Sequence, residues 1–162
     1  RWLLPESATF LKHFGVIATS HSSISMALGG ARHTEDFRAS AIWFPPGAEA
    51  SPEAGDTFVS GIPEDRLETA LEVFARMRAS HPAEPCWHLR LLGVDPPLQG
   101  MGHGSALLAH TLPDLDELGL GACLESTSPA SRRLYERHGF EVTEEIRVGD
   151  APPLWPMLRR PR

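Results

Sequence analysis

Leu91-Leu92-Gly93-Val94-Asp95-Pro96-Pro97-Leu98-Gln99-Gly100-Met101-Gly102-His103-Gly104-Ser105-Ala106-Leu107-Leu108 reads as a buried strand, a proline-stiffened turn, a glycine-rich loop and the opening of a helix. A helix start leaves backbone N–H groups unpaired and carries partial positive charge, so this order of elements makes an anion site. Glycines at 100, 102 and 104 keep side chains away from those donors, as a phosphate would require. The loop is not a P-loop, because Gly104 is followed by Ser105-Ala106 and not by Lys with Ser or Thr. The dinucleotide fingerprint G-x-G-x-x-G belongs at the front of a βαβ unit, whereas this G-x-G-x-G comes after most of the chain. Glu125 lies near the offset of that fingerprint's acidic residue, so dinucleotide binding stays open as an alternative.

Gln99-x-x-Gly102-x-Gly104, after a strand ending Gly93-Val94-Asp95-Pro96, resembles the acyl-CoA signature of the GNAT N-acetyltransferase superfamily. Leu134-Tyr135-Glu136-Arg137-His138-Gly139-Phe140-Glu141-Val142 is similar to its second signature, a Tyr-bearing helix that ends at a Gly-Phe opening the next strand. Ala41-Ile42-Trp43-Phe44-Pro45-Pro46-Gly47, Glu84-Pro85-Cys86-Trp87, Leu124-Glu125-Ser126-Thr127 and Leu154-Trp155-Pro156-Met157 look like their counterparts in the puromycin N-acetyltransferase branch. The resemblance implies an α/β GNAT fold, a mixed central sheet flanked by helices. It also implies transfer of acetyl from acetyl-CoA to a primary amine of a small molecule, by direct attack in a ternary complex. A protein or peptide acetyltransferase and a non-catalytic acyl-CoA-binding module are the alternatives.

By the same resemblance, Leu92, Gly93 and Val94 offer strand backbone to the thioester, and Gln99, Gly100, Met101, Gly102, His103, Gly104 and Ser105 hold the pyrophosphate. Ser131 stands near the place of an Asn common in the family, with a shorter reach, and Met101 stands where a basic residue often follows Gln-Gly. Tyr135 matches the Tyr that protonates the leaving thiolate, its alternative being a packed aromatic. With a phenol pKa near about 10 and a thiol near about 8.5, that transfer is uphill by about 2 kcal/mol in water.

The amine's proton acceptor is read from the residues. Simple alternation puts His88, Arg90, Leu92 and Val94 on one face of their strand, and an imidazole titrates in the useful range. Glu125, among apolar and small residues, is the rival: burial would raise its pKa, and it would draw the proton through water or bind the ammonium. Arg132 and Arg133 are candidates for a ribose phosphate, and Trp43, Trp87 and Trp155 for a cavity or for core packing.

The chain has 162 residues, enough for one domain with a core that needs no disulfide support. Its net charge of −6 gives no basic stripe for nucleic acid, so an anionic cofactor depends on local amides. No apolar run reaches the roughly 20 residues of a membrane span, and no secretory signal opens the chain. Cys86 and Cys123 have no metal-ligand spacing and are expected as free, buried thiols in a reducing, cytoplasmic setting. No H-x-x-x-H pair occurs among the eight histidines, so no metal is expected. A small-molecule amine is the expected partner, and a second copy of the chain is a candidate.

Periodicity predicts a short helix over Pro5–Phe14, and a hairpin of strands at Ser22–Leu28 and Phe37–Phe44 across a turn at Gly29–Asp36. A pocket-covering loop is read over Pro45–Gly61, and a helix over Pro63–Ser80 with the stripe Leu67, Leu71, Phe74 and Met77. Then follow a strand Trp87–Val94, a helix from Gly102 to Leu118 that Pro113 should kink or end, and a strand Ala122–Thr127. A helix Ser131–His138 and strands Phe140–Val148 and Leu154–Leu158 close the chain. GNAT proteins place a strand and a longer helix before such a hairpin. Neither is read here and the chain opens on Arg1, so both are expected to be missing from it.

Overall fold

The computed structural model describes residues 2–162. Its mixed six-stranded sheet has the order β1-β2-β3-β4-β6-β5, where β1 is Ala31–His33, β2 Ala39–Phe44, β3 Cys86–Val94, β4 Gly121–Ser126, β5 Glu141–Val142 and β6 Trp155–Arg159. Only β3 and β4 run parallel, and helix α4, His103–Glu117, is their crossover. The main core lies between this sheet and α4 with α5, Pro129–Arg137, and is built on Trp43, Leu89, Leu107, Leu108, Leu124 and Met157. Trp43 and Trp155 are buried in it and Trp87 packs against it, so the three tryptophans are core residues.

The first third departs from the sequence reading. Ser7–Ala27 is one 21-residue helix, α1, so Ser22–Leu28 is not a strand and the long helix before the hairpin is present. The alternation of Ile24, Met26 and Leu28 is misleading because Met26 is 71% exposed, while the buried residues of α1 are His21 and Ser25, one turn apart. Ser25 Oγ donates to the Trp43 carbonyl at 2.9 Å, and Gly30 lies so close to that carbonyl that any side chain there would collide with it. The hairpin is instead β1 with β2, Ala31 opposite Ile42.

Pro45–Gly61 is not all loop. Pro52–Val59 forms helix α2, with Pro52 in its first turn and the Ser51 hydroxyl accepting from Ala54 N–H at 3.2 Å. It packs on α1, where His13 Nδ1 lies 2.7 Å from the Thr57 carbonyl. Helix α3, Glu64–Ala79, matches its predicted span, but Ala70 and Val73 are its buried residues and Leu71 is exposed. Helix α4 continues through Pro113 to Glu117. The strand predicted over Phe140–Val148 is two residues long, followed by a single bridge between Ile146 and Leu154.

Two links pin the lower half of the sheet. Arg159, 4% exposed, grips both carboxylate oxygens of Asp116 at 2.8 and 2.6 Å and donates to the His138 carbonyl. Cys86 and Cys123 are buried as expected but joined as a disulfide across β3 and β4, with Cα atoms 6.1 Å apart. The expectation of free thiols is corrected: adjacent parallel strands bring two distant cysteines within bonding reach, and their spacing in the chain carries no sign of it. No helix among the described residues is long and apolar enough to cross a membrane.

Candidate active site

The parallel pairing of β3 with β4 is short: Cys86, Trp87 and His88 face Gly121, Ala122 and Cys123, and the ladder stops there. Beyond it, β3 continues to Val94 against β2, and β4 continues to Ser126 against β6. The facing edges of the two strands, from Leu89 and Leu124 onward, are left without a strand partner. This cleft holds backbone donors and acceptors that a ligand can take.

The glycine loop caps the cleft at the end of β3. Asp95 is anchored to Arg38, its N–H on the Arg38 carbonyl at 2.8 Å and its carboxylate on the guanidinium at 3.0 Å. Pro96–Leu98 makes one 3-10 turn, and Gln99 folds back to donate to the Val94 carbonyl at 3.1 Å. Gly100 and Gly102 then take φ of 80° and 93°, which L side chains avoid. The N–H groups of Gly100, Gly102, His103, Gly104 and Ser105 meet no acceptor among the described residues, and α4 has no side-chain cap. A row of free amides at a 15-residue helix start fits a pyrophosphate.

The three glycines do not serve one purpose. Positions 100 and 102 are open and needed for their backbone conformation, whereas a Cβ at Gly104 would point inward, 3.4 Å from Leu134 and 3.5 Å from Leu92. Ser105 turns its hydroxyl to His138 Nε2 at 2.6 Å, tying α4 to the end of α5. Ser131 engages the Ser126 hydroxyl and the Ser128 carbonyl at the start of α5, at 2.9 and 3.0 Å. Met101 is exposed. Arg132 is held by Glu136 at 2.7 Å and lies over Trp155.

Tyr135 is buried edge-on to Phe140, ring centroids 5.9 Å apart, in the core against which Leu92 and Val94 pack. Its hydroxyl has no hydrogen-bond partner among the described residues. Burial pushes the phenol up to about 12, so it stays protonated and able to donate.

A polar cluster occupies the opposite face of the sheet. The register of β3 slips by one residue between Leu89 and Leu91, leaving Arg90 as a bulge. The bulge corrects the simple alternation: Leu92 and Val94 join Trp87 and Leu89 on the core side, while His88 and Arg90 meet on the other. His88 Nε2 lies 2.8 Å from Glu125 Oε2, just above the last paired residues of β3 and β4. Arg90 donates to His88 Nδ1 and to His21 Nε2, both at 3.3 Å, and lies over the Phe44 ring.

This network assigns the protons. A guanidinium is only a donor, so His88 Nδ1 accepts and its Nε2–H donates to the Glu125 carboxylate. Burial, then the Arg90 charge, pull His21 down to about 4 against the Ile17 carbonyl, so His21 stays neutral and accepts. Burial of Glu125 acts to raise its pKa, but the hydrogen bond from His88, then Arg90 and His81, outweigh it. The carboxyl therefore lies below its ordinary range, the reverse of the rise expected from its apolar neighbours in the chain. Both nitrogens of His88 are engaged, and Glu125 is the free anion of the site.

A profile of the acetyltransferase (GNAT) family matches residues 34–140, about two thirds of the chain. The chain belongs to the GNAT acetyltransferase family. Acetyl-CoA is that family's co-substrate. Solved structures agree in fold. A histone acetyltransferase HPA2 and related acetyltransferase from Corynebacterium glutamicum matches at TM-score 0.66 and 22% identity, over 99% of this chain and 80% of its own. A polyamine N-acetyltransferase from Drosophila melanogaster matches at 0.62 and 20%, over 96% and 82%. An arylalkylamine N-acetyltransferase 2 from Aedes aegypti matches at 0.56 and 14%, over 80% and 71%.

The sequence reading names His88, Glu125, Tyr135 and the loop as candidates, and the structure joins His88 to Glu125; that reading does not name His21 or the link of Arg90 to both histidines. His21 reaches the site from α1, 69 residues before Arg90, and no local pattern marks it. Arg90 shares the face of His88 by alternation alone; what the sequence hides is the bulge, which turns Leu92 and Val94 to the other face and exists only once β3 pairs with β2.

Proposed function

We propose that this GNAT enzyme acetylates the primary amine of a small molecule by direct attack on acetyl-CoA in a ternary complex. The observation that carries the reading is the Glu125 carboxylate at the point where β3 and β4 part, on the far side of the sheet from the helices that flank the free loop amides. The likeness of its strand and C-terminal segments to the puromycin N-acetyltransferase branch supports a drug-like amine. Structural neighbours described as polyamine, arylalkylamine and agmatine N-acetyltransferases support a small amine in general. Its place of action is the cytoplasm in this reading, although the disulfide removes free thiols as a ground for it.

The amides of Gly100 and Gly102 to Ser105 hold the pyrophosphate, and the open edge of β3 through Leu92, Gly93 and Val94 receives the thioester. Glu125 binds the ammonium. A carboxyl held below the ordinary carboxylate range is far too weak a base to take the proton of an ammonium, so Glu125 anchors the amine while the proton leaves to water. His88, fixed by Arg90, is a positioning residue that aims the carboxylate. Tyr135 donates a hydrogen bond to the departing sulfur.

The test is calorimetric titration with acetyl-CoA, with desulfo-CoA and NAD as controls, then turnover on a panel of aromatic amines, polyamines and an N-terminal peptide. One-to-one binding of acetyl-CoA, none of NAD, and fastest turnover on a small amine are expected. A preference for the peptide overturns the substrate class, and no binding by the folded protein overturns the use of the loop.

A further inference from the structure

Below the His88–Glu125 pair lies a second grouping that acetyl transfer does not use. Cys86 and Cys123 meet across β3 and β4, and His81, in the loop between α3 and β3, brings a ring nitrogen within 4.8 Å of both sulfurs. We infer that Cys86, Cys123 and His81 bind one soft divalent ion, Zn2+ in preference, once the disulfide is reduced. Two thiolates and an imidazole are a known zinc donor set, with the fourth position left to water.

The backbone suits both states. Tetrahedral zinc with bonds of about 2.3 Å puts its two sulfurs about 3.8 Å apart. Side-chain rotation reaches that spacing from Cα atoms 6.1 Å apart, and both strands are held on their outer edges by β2 and β6. A cavity of about 260 Å³ lined by Glu84, Cys86, Gly121 and Arg160 reaches one of the two cysteines, Cys86. Only three residue pairs join β3 to β4, so a staple here matters: sulfur–sulfur in oxidising surroundings, sulfur–metal–sulfur in reducing ones.

His81, His88 and Glu125 also come within 4.8 Å of one another, but the ion does not go there. Metal on His88 Nε2 would move the ring proton to Nδ1, against the N–H of Arg90. The sulfur pair meets no such conflict. In the reduction, the S–S bond breaks and each sulfur takes one electron and one proton, while a phosphine reductant becomes its oxide with an oxygen from water. The ion then displaces two thiol protons to solvent.

The experiment uses the whole chain, reduced with a water-soluble phosphine, desalted without air and titrated with Co2+. Expected are two thiols after reduction, a near-ultraviolet thiolate-to-cobalt absorption saturating at one equivalent, its loss on adding Zn2+, and a zinc-dependent rise in thermal midpoint. Protein kept oxidised and the Cys86→Ser variant lack the band, and His81→Gln binds at least about tenfold more weakly. If thiols are free as purified, the same band is expected without reductant. No band in reduced protein with native circular dichroism, or an equal band in Cys86→Ser, overturns the site. Unchanged affinity in His81→Gln overturns the three-ligand assignment.

Discussion

Replacing Glu125 by Gln tests whether the carboxylate is an anchor or a base. Gln keeps the shape, and its carbonyl can still accept from His88 Nε2–H, so the 2.8 Å contact has a neutral substitute. What is lost is the negative charge facing the amine and balancing Arg90. A hydrogen bond to a charged group contributes about 1.5–3 kcal/mol, so the KM for the amine should rise about 10- to 150-fold. Since Glu125 is not asked to take the proton, kcat should fall less than about tenfold, whereas loss of a general base costs about 10²–10⁴. The pH profile adds a second reading. The carboxyl sits below its ordinary range, so it stays ionised across the assayed pH, and the rise of rate with pH belongs to the amine. Glu125→Gln should keep that slope. Steady-state kinetics on the best amine from pH 6 to 9, with acetyl-CoA affinity as control, decide the matter. An unchanged KM with kcat down a hundredfold, or a slope abolished by the substitution, would refute the anchoring argument.

Tyr135→Phe should lower kcat about 10- to 150-fold with both substrate affinities unchanged. A phenol near 12 against a thiol near about 8.5 makes full proton transfer uphill by about 5 kcal/mol and leaves hydrogen bonding as its contribution; unaltered turnover would remove Tyr135 from the chemistry. Gly102→Ala, at φ 93°, should cost about 1–2 kcal/mol of stability and weaken acetyl-CoA about tenfold. Gly104→Ala, whose Cβ meets Leu134 at ordinary contact distance, should change stability and affinity little; the opposite order in melting and calorimetry would reverse the roles of the two glycines. Asp116→Asn leaves the Arg159 guanidinium buried and unpaired, an expected loss of about 3 kcal/mol or about 6–12 °C in Tm. The hydrogen bonds from Arg159 depress the Asp116 carboxyl, so this stabilisation is full above about pH 4 and fades as pH falls through the depressed value. The gap between wild type and variant should therefore close in acid, as denaturant melts at several pH values would measure.

The glycine loop, the crossover helix and the Tyr-bearing helix were legible because their signals are local: proline and glycine punctuate them, and 3.6-residue periodicity runs between. The first third was not, for two different reasons. Ser51-Pro52-Glu53 is a readable helix start, masked by the surrounding stretch rich in proline and glycine. Ile24, Met26 and Leu28, by contrast, alternate by accident. What seats α1 is Ser25 on the Trp43 carbonyl and His21 on Arg90, and neither contact has a trace in the residues around it. The sign of the Glu125 shift was illegible for the same cause. Its neighbours along β4 predict burial, but the groups that overcome burial arrive from β3 and from the loop before it.

One inserted residue links the two halves of the site. Strict alternation along β3 would put His88 and Arg90 on the face of Leu92 and Val94, and the strand could not turn polar groups to α1 while feeding apolar ones to the core beneath α4 and α5. The bulge at Arg90 resets the phase, so the lower strand turns His88 away from that core and the upper strand still packs Leu92 and Val94 into it. A bulged strand also bends, and the pairing of β3 with β4 ends at His88, two residues before the bulge. The slip therefore sits just past the point where the strands separate, beside Arg90, His88 and Glu125. In the proposed reading the amine and the thioester approach this break from opposite faces of the sheet, and the slip is what lets β3 serve both faces.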